Sequence, residues 1–334
     1  MNMHDELSER SRVWHNHYGL PLVFYAIGRE EIERFVAEGG DVHETVRIPP
    51  PASGYGGWNA ITNLSWVYRF VRARVVIRER LVETLEALVE LGVDVNHRDG
   101  GGRSPILRPF PAAAVKVLID AGANVNDTDD YGFTALFDVD DPEAVSVLVD
   151  AGLDVNRPDK TGMTPLHWEG CERVARALIE CGADIERKDH NGETPLHKQG
   201  NPDVLRLLIE AGADLNSRCA DGSTPIHALG RNFAFSTPSN IGIVKCKLLL
   251  DAGADINARD FAGNTALHKT VNDEVAAFLL RRGADPAAVN DNGEHIWQTS
   301  DECVGLLVKQ RIHAQHAFPQ AKPIPRRLKR GVEK

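Results

Sequence analysis

Apolar pairs recur along this chain in one fixed phase. Leu88/Val89, Leu118/Ile119, Leu148/Val149, Leu178/Ile179, Leu208/Ile209, Leu249/Leu250 and Leu279/Leu280 each stand four and three positions before a glycine, and Phe35/Val36 keeps the same relation to Gly39. Two adjacent apolar residues near the end of a short amphipathic segment give a helix one buried stripe. A glycine just past them suits the left-handed residue that closes a helix. The starts of these segments are marked too. Asp141-Pro142-Glu143, Asn201-Pro202-Asp203, Asn272-Asp273-Glu274 and Ser300-Asp301-Glu302 set a capping residue before an acidic first turn. The pattern predicts a series of short helices, each closed by glycine and followed by a polar segment such as "ADLNSRCADG" that turns the chain.

A second helix start precedes each of these. Thr164, Thr194, Thr224 and Thr265 stand before Pro or Ala and then Leu or Ile. Threonine caps a helix, and proline fits the first helical position, where its missing N–H has no partner anyway. Sequences such as "TPLHWEG" and "TPLHKQG" leave this first helix under two turns. The glycine of each preceding turn fixes the period. Gly102, Gly132, Gly162, Gly192, Gly222, Gly263 and Gly293 are spaced 30, 30, 30, 30, 41 and 30 residues apart, with weaker copies at Gly19 and Gly57. Such a period marks an array in which each helical pair buries its faces against its neighbours.

These residues resemble the ankyrin repeat, whose signature runs D-x-x-G-x-T-P-L-H and later G-A-D-x-N. Asp159, Gly162, Thr164, Pro165, Leu166, His167, Gly182, Ala183 and Asp184 match it, and the next copy matches from Asp189 through Asn216. The resemblance covers residues 16–312 and implies an all-α solenoid of about eight helix-turn-helix units. A degenerate C-terminal cap spans residues 290–313, with a polar segment at 1–15 and a basic tail at 314–334. The family period is about 33. Here it is 30, the loss falling between the histidine and the second helix. The alanine usual two places after the histidine is also replaced, by Glu169, Gln199 and Thr270. First helices shorter than the family's are therefore expected.

The histidines invite a chemical reading. His167, His197, His227 and His268 share one position, which other copies fill with Phe24, Thr62, Leu107, Phe137 and Gln298. A metal or catalytic group common to the array could not tolerate Phe and Leu there. In the family this histidine bonds the backbone of the adjacent turn, so a structural peg is expected. Cys171, Cys181, Cys219, Cys246 and Cys303 are scattered, with no CxxC pair, and read as reduced thiols of a cytoplasmic protein. No nucleotide-binding, serine-hydrolase or zinc-protease motif is present. The expectation is a non-enzyme without cofactor or metal. The N-terminal stretch is charged and polar, unlike a secretory signal, and no apolar run suggests a membrane span.

Function in such an array is expected where the pattern varies. The resemblance places the turn tips and the first helices on one edge, implying contact with a protein partner. The variable positions there are Asp130, Tyr131 and Phe133; Lys160, Thr161 and Met163; His190, Asn191 and Glu193; and Phe261 and Asn264. Trp168 follows the peg histidine where other copies carry Lys198, Ala228 and Lys269, and lysine there implies a position at least partly exposed. Two insertions interrupt the period. One follows Thr62, near residues 62–82, and holds Arg69, Arg72, Arg74, Arg78 and Arg80; it reads as a lengthened helix or a basic contact. The other, residues 231–242, carries Phe233 and Phe235, as loop cover or as a contact loop. The net charge of −10 argues against nucleic acid as the main partner. The expected function is protein binding by a monomer, as an inhibitor, neutraliser or adaptor. The alternatives are an electrostatic binder acting through residues 69–80 and the tail, and a host-directed bacterial effector, since units this short are similar to those of many bacterial ankyrin proteins.

Overall fold

The computed structural model describes residues 29–37, 75–230, 241–300 and 302–317. Among the described residues all regular structure is helical, apart from an isolated bridge between Val289 and His295. No helix among them is long and apolar enough to cross a membrane. The chain divides into two compact units, Met1–Asp214 and Leu215–Lys334.

The first unit holds α1 (Arg29–Ala37), α2 (Val75–Glu90), α3 (Ala112–Asp120), α4 (Pro142–Asp150), α5 (Pro165–Trp168), α6 (Glu172–Glu180), α7 (Pro195–Lys198) and α8 (Pro202–Glu210). Two single 3₁₀ turns, Pro105–Leu107 and Ala135–Phe137, take the place of α5 and α7 in the earlier repeats. The longer helices pack in chain order: α1 on α2, α2 on α3, α3 on α4, α4 on α6, and α6 on α8. The short ones form a second row, Pro105–Leu107 against Ala135–Phe137, then α5, then α7. The second unit repeats the arrangement. There α9 (Ile241–Asp251), α11 (Asp273–Arg281) and α13 (Glu302–Ala317) make the long row. The 3₁₀ segment Pro225–Gly230, α10 (Ala266–Lys269) and α12 (Ile296–Thr299) make the short one.

The apolar pairs divide their labour. The first member, Leu88, Leu118, Leu148, Leu178 or Leu208, is at most 2% exposed, whereas Val89, Ile119, Val149, Ile179 and Ile209 are half-buried. In these five repeats the first leucine of the pair is the member that enters the core, beside other buried residues such as Leu166, Val174 and Ala175. The helix starts behave as the sequence predicts. Asp141 accepts the N–H of Glu143 at 3.2 Å, Asn201 that of Asp203 at 2.8 Å, and Asn272 that of Val275 at 3.1 Å. The short period is absorbed where expected, since α5, α7 and α10 are four residues each and three residues lead from each into the next helix. The first insertion lengthens α2 to 16 residues against nine in α3. Arg80 lies half-buried on it, while Arg69, Arg72 and Arg74 fall outside the described residues.

Candidate functional site

In the first unit the turns at Asp99, Asp129, Asp159 and Asp189 are each built around one carboxylate. Asp159 Oδ1 accepts the N–H groups of Thr161 at 2.8 Å and Met163 at 2.9 Å, and the Asp159 N–H donates to the Met163 carbonyl at 2.8 Å. Asp129 and Asp189 do the same in their own turns. Successive tips are then tied together. Lys160 donates its N–H to the Tyr131 carbonyl at 3.1 Å, and His190 to that of Thr161 at 3.0 Å. The turn needs its glycine: Gly162 has φ 84°, and a Cβ there would meet the His190 backbone nitrogen at 2.8 Å.

The histidines close the first helix. His167 Nδ1 accepts the Thr164 N–H at 3.0 Å, so Nε2 carries the proton and donates to the Glu193 carbonyl of the next turn at 3.1 Å. His227 makes the same pair of bonds, to Thr224 and to the Asn264 carbonyl, both at 3.1 Å. Nδ1 of His197 and of His268 accepts from Thr194 and Thr265 at 3.2 and 3.1 Å. The peg thus does the work that Glu or Gln does in a capping box. At α12 a glutamine takes it over: Gln298 Oε1 accepts the N–H of His295 at 2.8 Å. Burial holds the imidazoles of His167, His227 and His268 below their ordinary pKa, which suits a ring that must keep Nδ1 as an acceptor.

One place beyond the peg, cations fold back onto the turn. Arg108 pairs with Asp99, Lys198 with Asp189 at 3.2 Å and with Glu193, and Lys269 with Asp260 at 2.7 Å and Asp221 at 2.9 Å. Burial works against the charge of Lys198, but Glu193 and Asp189 outweigh it and hold its pKa above the ordinary value. This corrects the expectation of an accessible Glu193, while Lys198 keeps the partial exposure its position implied. Glu193 is only 4% exposed and Lys198 is half-buried, because each neutralises the other inside the turn rather than facing solvent.

The two repeats between Arg108 and Lys198 depart from that rule, and here an exposed aromatic cluster forms. The cation position holds Asp138 in one and Trp168 in the other. In the first of them the peg is Phe137. It cannot accept an N–H, and the buried Thr134 hydroxyl is left without a hydrogen-bond partner. The Phe137 ring instead stacks on Phe133, with centroids 4.7 Å apart and planes within 4°. Phe133 meets Trp168 edge-on at 5.6 Å and Tyr131 at 6.1 Å. Tyr131 and Trp168 remain 68% and 53% exposed, while Phe133 is half-buried. Three carboxylates stand next to this cluster in the sequence. Asp138 follows Phe137, Glu169 follows Trp168, and Asp140 acts electrostatically on Glu169 together with Asp138. Burial first, then the charges of Asp138 and Asp140, raise the Glu169 carboxyl to about 7 against the N–H groups of Cys171 and Gly170.

The other expected residues are distributed as follows. Asp130 and Lys160 flank the cluster on exposed tips, the Lys160 ammonium donating to the Asp130 carbonyl at 2.6 Å. Thr161, His190 and Asn191 are exposed, and Met163 is half-buried. Thr161 Oγ1 donates to Asp159 at 2.7 Å. Phe261 and Asn264 belong to the second unit and take no part in this cluster. Phe261 is 67% exposed, with the Arg218 guanidinium 5.9 Å from its ring centre. Asn264 is half-buried and structural, its carbonyl accepting from His227 and its Oδ1 from Asn290 at 3.0 Å. Phe233 and Phe235 lie outside the described residues. Phe137, Asp138, Asp140 and Glu169 are site residues that the variable tip positions do not reveal; the loss of the peg histidine at Phe137 is the signal in the sequence that could find them.

The sequence profile of the family described as "Ankyrin repeats (3 copies)" matches residues 111–189, 168–233 and 198–290, which together span more than half of the chain. No curated protein matches the sequence.

Proposed function

We propose that this chain, which belongs to the ankyrin-repeat family, binds a protein partner through the turn tips and short helices of its first unit. Ankyrin repeats generally mediate protein–protein interaction, and the family is typically non-enzymatic. The contact centre is the cluster of Tyr131, Phe133, Phe137 and Trp168, with Asp130, Lys160, Thr161, Met163, His190 and Asn191 around it. The observation that carries this reading is the replacement of a capping histidine by Phe137. The repeat gives up a local hydrogen-bond motif and leaves the buried Thr134 hydroxyl unpaired, and what it gains is a ring stack leading to two exposed aromatics. A local rule broken without benefit to the core points to function, and Tyr and Trp are favoured anchors at interface centres.

The chain acts by occupying its partner, as an inhibitor, neutraliser or adaptor does, and works as a monomer. Affinity capture with the full chain, run in parallel with the Tyr131→Ala/Trp168→Ala variant, tests this. A protein retained by the unaltered chain and lost from the folded double variant supports the reading. Retention of the same set of proteins by both contradicts it.

A further inference from the structure

Ser104, Thr134, Thr164, Thr194, Thr224 and Thr265 each set a hydroxyl before a short helix or 3₁₀ turn. Two arrangements satisfy that hydroxyl. At Thr164, Thr194, Thr224 and Thr265 it lies 2.9 or 3.0 Å from Nδ1 of the peg histidine. At Ser104, whose peg position holds Leu107, it donates to Asp127 of the next repeat. Thr134 has neither. Its peg position holds Phe137, and in place of Asp127 stands Arg157, which donates to the Asn126 carbonyl at 2.9 Å. Thr134 is 2% exposed, and its hydroxyl has no hydrogen-bond partner among the described residues.

The neighbouring sequence does not force this. Thr134-Ala135-Leu136-Phe137 differs only in its last residue from Thr265-Ala266-Leu267-His268, which forms the capped helix α10. A histidine would also point elsewhere. In the repeats that carry one the imidazole reaches the next turn, where Nε2 of His167 and of His227 donates to the Glu193 and Asn264 carbonyls, both at 3.1 Å. Phe137 instead lies on Phe133 of its own turn, with centroids 4.7 Å apart and planes within 4°. Phe133 in turn meets the edge of Trp168 at 5.6 Å. Phe133 and Phe137 are half-buried and Trp168 is exposed, so the contacts run outward from anchored rings to the open one.

We propose that Phe137 is a positioning residue: in place of the capping bond it holds Phe133, and through Phe133 it holds the exposed Trp168 indole in the orientation a partner meets. The inference deepens the protein-binding reading given above and rests on it. An exposed side chain that turns freely loses that freedom on binding, at a cost to affinity, whereas a ring already held in place does not. Rigid aromatic anchors are effective at interfaces for this reason. The repeat thus gives up local stability for order at its surface, as functional sites commonly do.

The test compares Phe137→His with Phe137→Tyr, which keeps a ring able to stack, both in the full chain. Phe137→His should melt about 2 °C or more above the unaltered chain, because the imidazole supplies the partner that Thr134 lacks. The indole N–H resonance of Trp168, assigned by its absence in Trp168→Phe, should show a lower heteronuclear NOE in Phe137→His, and Phe137→Tyr should restore it. For affinity, peptides are selected from a displayed random library on the unaltered chain and depleted on Tyr131→Ala/Trp168→Ala, so that those left depend on the rings. They should bind Phe137→His about tenfold or more weakly, and Phe137→Tyr should lose clearly less. A Phe137→His variant that melts below the unaltered chain, keeps its indole as ordered or binds these peptides equally well overturns the positioning role and leaves the binding face standing. So does a Phe137→Tyr variant that loses as much affinity as Phe137→His. If no ring-dependent peptide emerges, the binding face itself fails, and this inference with it.

Discussion

At the scale of single residues, the peg histidine and Glu169 carry opposite pH dependences. His167, His227 and His268 are held neutral by burial, so the unfolded chain binds protons more readily than the folded one. Their contribution to stability is complete above the ordinary histidine value of about 6.5 and is lost as the pH falls below it. Glu169 runs the other way. Its folded pKa is raised to about 7, so its contribution is complete in acid and lost as the pH rises through that value. Thermal melting should therefore fall between about pH 7 and pH 5, where three histidines outweigh one glutamate. In Glu169→Gln, stability at pH 8 should rise by about 1–3 kcal/mol, and the fall toward pH 5 should steepen. A melting curve identical to that of the unaltered chain at both pH values would refute this role of Glu169. Replacing His167 by Ala leaves the Thr164 N–H and the Glu193 carbonyl without their partner and should cost about 1–3 kcal/mol. No chemical activity should disappear with it beyond what lost folding explains.

At the scale of the element, most of the architecture was legible in the sequence. Helix starts and ends depend on particular residue types at fixed offsets, so Asn201 and Gly182 could be assigned from spacing, while the roles of Asp159 and His167 were implied by the resemblance to the ankyrin repeat. What could not be read depends on which side chains meet. Nothing in the pair Leu178/Ile179 says that the leucine is buried and the isoleucine only half-buried, since that depends on which face α6 turns to α4 and α8. The lysines past the peg read as at least partly exposed, but nothing in the spacing says that Lys198 folds onto Asp189, nine residues earlier, or that Glu193 is buried with it. Phe137 meets Trp168's neighbour Phe133 through a stack that no periodicity encodes. The two glycine positions should also differ in their tolerance. Gly182 has φ 91° and open space where a Cβ would stand, so Gly182→Ala should cost only the backbone strain, about 1–2 kcal/mol. Gly162→Ala adds a collision with the His190 backbone and should cost clearly more. Equal losses in urea unfolding would show that the stacked tips yield more readily than their hydrogen bonds imply.

At the scale of the whole molecule, a core is separate from a face. Buried apolar residues such as Leu178, Val174 and Ala175 hold each row of long helices together, and the exposed rings of the first unit lie on the turn tips and the row of short helices. Substitutions in the two places should therefore have opposite signatures. Leu178 is fully buried, and Leu178→Ala should cost about 2–5 kcal/mol while leaving binding by the folded fraction intact. Tyr131 and Trp168 are mostly open to solvent, and their loss leaves no cavity in the core. The most direct test is a paired measurement of melting and partner affinity in Tyr131→Ala/Trp168→Ala and in Leu178→Ala. The double variant should melt close to the unaltered chain yet bind its partner more weakly by over about 2 kcal/mol, and Leu178→Ala should do the reverse. A double variant that melts early, with undiminished affinity per folded molecule, would contradict the separation of face from core.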